Sequence, residues 1–255
     1  MGLLDGKKGI VFGVANERSI AWAIARELGE AGATLGFSYQ GATLERRVRP
    51  LAEQVGSPLL VECDVTDEAS LDRMASEVEE KFGKIDFFVH SIAFAGRDTL
   101  KGHYYDTGRA DFLQAMEISV FSLLAIAQRL APVMNDGGSI LTLSYYGAVK
   151  AVPNYNVMGV AKAALESSVR YMALDLGERG IRVNAISAGP LRTLAAAAIP
   201  KFSKMLEEYA ERAPLKRTLD HEDVGRAGLY LMSDLSSGVT GEVHYVDCGY
   251  STVGF

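Results

Sequence analysis

The chain has 255 residues, 48% of them hydrophobic and 23% charged, a balance that excludes intrinsic disorder and allows a core that needs no covalent staples. Its 26 lysines and arginines stand against 32 aspartates and glutamates, giving a net charge of −6 and a pI near 5.3, which argues against nucleic acid or an anionic membrane surface as the main partner. Cys63 and Cys248 are too few for a disulfide framework, and His90, His103, His221 and His244 show no ligand spacing, so no metal site is expected. The segment Met1–Lys8 has no apolar run of signal-peptide length. No stretch of about 18 uninterrupted apolar residues occurs either. The expectation is a reduced, cytoplasmic protein without a membrane span.

Short β-rich runs alternate with helix-length segments along the whole chain. The runs are Gly9–Val14, Thr34–Tyr39, Leu59–Glu62, Ile85–His90, Ser139–Ser144, Arg182–Ser187 and Glu242–Val246. Several are continuously apolar, as strands covered on both faces require. Between them lie amphipathic segments: Ser19–Ala31, Leu44–Val55, Glu68–Phe82, Arg109–Met134, Asn154–Arg179 and Asp220–Met232. Ser19 and Thr66 suit N-caps, Gly32 and Gly180 suit helix ends, and Pro50 is expected to kink or shorten its helix. Strict β–α alternation predicts crossover connections and therefore one doubly wound, Rossmann-type α/β domain over residues 1–255, with a parallel sheet of about seven strands. Ligands of such sheets bind beyond the carboxyl ends of the strands.

The first strand exit, Gly13 to Ile20, offers a glycine that lets backbone approach a pyrophosphate, and a helix start with free N–H groups. The G-x-G-x-x-G form is absent, so this segment also fits an ordinary βα turn capped by Ser19. The second strand ends at Gln40, where NAD-binding folds usually carry an acidic residue on the adenosine ribose. Glutamine can hydrogen-bond a ribose hydroxyl, and no lysine or arginine adjoins it to balance a 2′-phosphate, which favours NADH over NADPH. Asp64 and Val65 at the third exit suit either adenine recognition, through carboxylate and backbone amide, or a simple turn before Thr66.

Tyr155 and Lys162 are seven residues apart, so on an α-helix they are separated by about 700°, roughly 20° short of two turns, and share one face about 10.5 Å apart along the axis. A phenol near a cation can donate a hydrogen bond to a developing oxyanion, while an ammonium holds ribose hydroxyls. In isolation the pair fits equally well an interfacial tyrosine and a snorkelling lysine. Tyr145 and Tyr146, at the preceding strand exit, bring further phenols to the same mouth.

Taken together, the strand exits resemble those of the short-chain dehydrogenase/reductase superfamily and, within it, of the bacterial NADH-dependent enoyl-(acyl-carrier-protein) reductases. The resemblance is carried by Gly13 through Ser19-Ile20, Ser38-Tyr39-Gln40, Cys63-Asp64-Val65, His90-Ser91-Ile92, Leu143-Ser144-Tyr145, Pro153 through Lys162, Arg182 through Pro190, and Gly241-Glu242-Val243. It spans nearly the whole chain. It implies that Tyr155 donates to the thioester carbonyl as this becomes an enolate, that Lys162 holds the nicotinamide ribose, and that Tyr145 is a second active-site tyrosine. It further implies that Gly13, Ser19, Ile20, Gln40, Asp64, Val65 and Ile92 line the NADH groove. Leu191, Thr193 and Ala195 would surround the nicotinamide and pyrophosphate, and Ala95 would touch substrate. Most superfamily members use Tyr-x3-Lys and place an asparagine in the preceding long helix. Here those positions are Met158 and Ser119, which argues against reduction of a ketone by the usual proton relay.

Residues Leu191–Pro200 are small and apolar, and Phe202, Met205, Leu206 and Tyr209 then recur at helical spacing. With the resemblance, 191–215 is expected to be a lid that receives the acyl chain. Lys201, Lys204, Arg212, Lys216 and Arg217 near it suit either an acidic carrier protein or a solvated face. The segments Arg109–Met134 and Asn154–Arg179 are apolar on more than one side, which makes an oligomer plausible; the resemblance suggests a homotetramer.

Overall fold

The computed structural model describes residues 2–194 and 202–254. Seven parallel strands, β1 (Lys8–Phe12), β2 (Thr34–Tyr39), β3 (Leu59–Glu62), β4 (Ile85–His90), β5 (Met134–Ser144), β6 (Arg182–Ala188) and β7 (Val243–Val246), form one sheet in the order β3-β2-β1-β4-β5-β6-β7. The helices are α1 (Ile20–Glu30), α2 (Gly41–Gln54), α3 (Glu68–Phe82), α4 (Arg109–Met116), α5 (Ser122–Leu130), α6 (Asn156–Leu176), α7 (Phe202–Arg212) and α8 (His221–Met232). The doubly wound α/β fold expected from the alternation is the one observed.

Consecutive strand residues enter opposite cores, which is why the runs read as continuously apolar. Val11, Phe37, Phe87 and Val89 meet Trp22, Ile24, Leu28 and Leu231 on the face of α1, α2 and α8. Ile10, Phe12, Phe88 and Ile140 meet Met74, Val78, Ile126, Leu165 and Val169 on the face of α3, α5 and α6. Each large side chain buried this completely stabilises the fold by roughly 1.5–3 kcal/mol. Gly225 and Gly228 let α8 approach α1; a Cβ on Gly225 would stand 2.8 Å from the Ala23 carbonyl oxygen.

Several local expectations need correction. β1 stops at Phe12, not Val14, because Gly13 turns the chain with φ +90°. β5 starts at Met134 rather than Ser139. A bulge shifts its register between Ile85/Met134 and Phe87/Ser139, which leaves Asn135 to reach Asp86 at 3.0 Å. The long segment 109–134 is not one helix: a π-helical turn over Glu117–Phe121 separates α4 from α5. Pro50 neither ends nor shortens α2, because it and Arg46 both lie on the exposed side, where water can take the carbonyl that proline leaves unbonded. The N-cap of α3 is Asp67, which accepts from the Ala69 amide, while Thr66 turns its hydroxyl to Asp64.

By length and composition Arg109–Val133 is apolar enough to cross a bilayer. In the fold its inner side, with Ala115, Val120, Leu123, Ile126 and Leu130, is buried in the protein.

Candidate active site

The sheet changes winding direction between β1 and β4, and a cleft of ≈ 380 Å³ opens at their carboxyl ends. Gly13, Gln40, Asp64, Val65 and Ile92, drawn from four different strand exits, line it together. Tyr39, Ser91 and Phe94, from the same strand exits, add to the wall together with Leu44, Gln114 and Ile118, which the sequence had not marked. A broader depression of ≈ 420 Å³ at the opposite strand ends, around Lys7, Lys84 and Asp86, holds none of the expected site residues.

Gly13 packs directly against the chain at the exit of β4. A Cβ there would overlap the Ser91 carbonyl, and its positive φ disfavours any other residue. Ser19 sits at the start of α1 but does not cap it: its hydroxyl accepts from the Ala15 and Asn16 amides at 3.0 and 3.1 Å. That bond folds the loop inward and leaves the first turn of α1, beginning at Ile20, without a side-chain cap. A glycine cradle facing an uncapped helix start fits a dinucleotide pyrophosphate. At the far end, burial works against the Asp64 carboxylate, but hydrogen bonds from Thr66 and Gln40 outweigh it and hold its pKa below the usual range. A negative charge thus lies beside Gln40, where a 2′-phosphate would be least welcome.

The chemical end is assembled at the exit of β5. The Tyr145 and Tyr155 rings meet edge-on, with centroids 4.8 Å apart. Gly147 is forced by this packing, since a Cβ on it would run into the Tyr155 ring, and Gly159 lies under it, 2.8 Å from the Gly147 oxygen by the same test. Both glycines escaped the sequence reading; a glycine two residues after Tyr145 and another inside the Tyr-x6-Lys segment were the available signals. Lys162 is buried, and its ammonium donates to the Leu143 carbonyl at 2.7 Å.

The simple helical arithmetic for Tyr155 and Lys162 needs amending. α6 begins only at Asn156, and Asn154 and Asn156, flanking Tyr155, have φ of +64° and +41°. Tyr155 stands at the N-cap of α6, one residue before its first turn, and the two side chains meet the end of β5 separately, Tyr155 through the Tyr145 ring just beyond the strand and Lys162 through the Leu143 carbonyl. Asn156 tolerates the left-handed backbone and uses its side chain to donate to the Thr99 carbonyl at 3.1 Å, tying the loop after Ala95 to the start of α6.

Burial governs the electrostatics. It pushes the Tyr145 phenol up to about 12 and Tyr155 further above the ordinary range, so both remain protonated donors. It also pulls Lys162 down to about 8, against the opposing field of Glu166. His90 is fully buried and held down to about 3, hence neutral. Ser122 gives its proton to the Ile118 carbonyl at 2.6 Å, so it accepts from His90 Nε2 at 2.8 Å, leaving Nδ1 to accept from Thr142 at 2.9 Å. Ser119, in the π-helical turn, binds the Phe94 amide and lies 3.8 Å from the Met158 sulfur. The two departures from the superfamily pattern are thus a single contact.

Leu191 is buried, and the Thr193 amide donates to its carbonyl at 2.9 Å; Ala195 lies outside the described residues, as does Lys201. In α7, Leu206 and Tyr209 are buried while Phe202 and Met205 stay half-exposed. Tyr209 stacks on Tyr250 at 4.5 Å and donates to the Asp247 carbonyl, so this helix is fastened to the C-terminal turn. Lys204, Lys216 and Arg217 are engaged by Glu208, the Glu211 carbonyl and Asp223.

A family profile described as enoyl-(acyl carrier protein) reductase matches residues 13–251. An enoyl-(acyl-carrier-protein) reductase (NADH) 1 of Rhizobium meliloti strain 1021 is 61% identical over 253 residues, 99% of this chain and 93% of the relative. The reductase of Anaplasma phagocytophilum, solved in complex with NAD, superposes with a TM-score of 0.96 at 52% identity, covering 100% of this chain and 97% of that one. The Bacillus cereus enzyme, solved with NADP+ and an indole naphthyridinone, gives 0.98 at 53% identity with both chains covered in full. With likeness of this extent in sequence and in fold, the chain belongs to the enoyl-(acyl carrier protein) reductase family.

Proposed function

We propose that this chain is an NADH-dependent enoyl-(acyl-carrier-protein) reductase of fatty acid synthesis, with Tyr155, Tyr145 and Lys162 as its catalytic residues. The observation that carries the reading is the convergence of two protonated phenols and a buried ammonium on the β5 exit, beside a glycine-cradled cleft. When bound, NADH supplies a hydride for C3 of a trans-2-enoyl thioester. The Tyr155 hydroxyl donates to the thioester oxygen as negative charge moves there, and C2 then takes a proton to give the saturated product. Because burial keeps Tyr155 from ionising, it acts as a donor rather than a base. Tyr145, edge-on to it, is the second donor to the same oxygen. Lys162 holds the ribose hydroxyls. Gly13, Ser19, Ile20, Gln40, Asp64, Val65 and Ile92 hold the rest of the dinucleotide, with Leu191, Thr193 and Ala195 at the nicotinamide side. Ala95 faces the acyl group.

Residues 1–255 act as one dinucleotide-binding and catalytic unit, with 191–215 as a lid over the acyl group whose α7 is anchored by Tyr209. The carrier protein approaches over the basic residues around α7. Leu113, Phe121, Val160, Tyr171 and Leu174, exposed on α4 to α6, support burial against further copies in a homotetramer. The free thiols of Cys63 and Cys248 suit the cytoplasm. A steady-state assay decides the reaction: a short trans-2-enoyl thioester is consumed with NADH and only weakly with NADPH, whereas turnover of a 3-oxoacyl thioester instead would assign a carbonyl reductase.

A further inference from the structure

Lys162 has a neighbour that the reaction as described leaves without a task. Lys162 and Glu166 stand four residues apart on α6, and each fastens to a successive residue of β5. The ammonium donates to the Leu143 carbonyl at 2.7 Å, and the Ser144 hydroxyl donates to Glu166 Oε1 at 2.5 Å. Both side chains belong to residues only 6% exposed. The Leu143 carbonyl gives Lys162 a hydrogen bond but no counter-charge, and an ammonium out of water sheds its proton unless a negative group stands by.

We propose that Glu166, anchored by Ser144, is a positioning residue that keeps the Lys162 ammonium charged and aimed at the ribose of the bound dinucleotide. The inference rests on the assignment of Lys162 to that ribose. Burial raises the pKa of Glu166, and the Ser144 hydrogen bond and the field of Arg170, one turn further along α6, oppose that rise. The other titratable groups whose fields reach the pair are His90 of β4, beside Lys162, and Tyr245 of β7, beside Glu166. His90 is already neutral, and the Tyr245 phenol is shifted upward. Between about pH 7 and 10 the proton that comes and goes at this spot is therefore that of Lys162.

The test is the pH dependence of NADH affinity, followed by cofactor fluorescence. In the unaltered protein the affinity falls as pH rises and Lys162 loses its proton. Glu166→Gln keeps a partner for Ser144 but removes the charge, so the fall begins at lower pH, displaced by about one unit. Glu166→Asp retains the charge and returns the profile toward the original. Ser144→Ala, which frees the carboxylate without deleting it, moves the profile the same way by less, and serves where Glu166→Gln does not fold. Lys162→Met loses at least about tenfold in affinity and shows no alkaline fall. Unmoved profiles in both Glu166→Gln and Ser144→Ala, alongside a weakened Lys162→Met, overturn the role of Glu166 alone. Full affinity in Lys162→Met overturns the ribose assignment and this inference with it.

Discussion

The two parts of the proposed site, the cleft and the residues gathered at the β5 exit, are built by different means. At the cofactor end the backbone sets the shape: Gly13 leaves the room, Ser19 folds the loop, and the start of α1 presents its amides. At the chemical end side chains set it, through the Tyr145–Tyr155 ring contact and the Lys162 and Glu166 clamps on β5. A surface made of backbone tolerates change poorly wherever a Cβ must be absent. A surface made of overlapping side chains allows one group to cover in part for another.

This contrast orders the expected losses. Gly13→Ala must relieve both the Ser91 overlap and a left-handed backbone, and is expected to weaken NADH binding about a hundredfold or more in a fluorescence titration. Unchanged affinity would show that the cradle is not formed by the backbone. Tyr155→Phe removes one oxyanion donor and is expected to lower turnover of a soluble enoyl thioester about a hundredfold, or ~2.7 kcal/mol, the lower end for such donors because Tyr145 remains. The double change with Tyr145→Phe should fall well below the single one. Equal rates for the two would remove Tyr145 from the chemistry.

His90, on the strand that divides the two ends, offers a smaller and pH-dependent effect. Its folded pKa of about 3 lies below the unfolded value near 6.5, so the unfolded chain binds the extra proton between those limits. Stability is present above about pH 6.5 and drains away as pH falls toward 3, by up to about 1.4 kcal/mol per pH unit from this group. Denaturant unfolding of His90→Gln should show a flatter acid limb than the unaltered chain. Smallest is Tyr209→Phe, which loses the bond to the Asp247 carbonyl and should cost about 1 kcal/mol, or roughly 2–4 °C in Tm by scanning calorimetry.

The fold was legible because both-face burial writes itself as uninterrupted apolar runs: Ile85–His90 matches its strand residue for residue. Boundaries were lost where one residue's backbone overrode the pattern, as at Gly13, or where a bulge lengthened β5 without an apolar signature. The π-helical turn at Glu117–Phe121 left no trace in periodicity, because it shifts the faces of one apolar stretch without interrupting it. At the site, the Tyr155–Lys162 spacing fitted a snorkelling lysine as well as a catalytic pair and only the family resemblance singled it out, while the left-handed Asn156 places the helix start after Tyr155 rather than before it. Glu166 and Gly147 were not singled out, and Ser144 was marked only as part of a strand exit, since each acts through a neighbour that only the folded chain supplies.

Deuterium transfer tests the central claim most directly. NADH labelled with deuterium at the transferable position of the nicotinamide is incubated with a short trans-2-enoyl thioester, and the product is read by NMR. The arrangement of Tyr155, Tyr145 and Lys162 predicts one deuterium at C3 and a solvent proton at C2. Label on the thioester carbon, or no consumption of NADH, would contradict it.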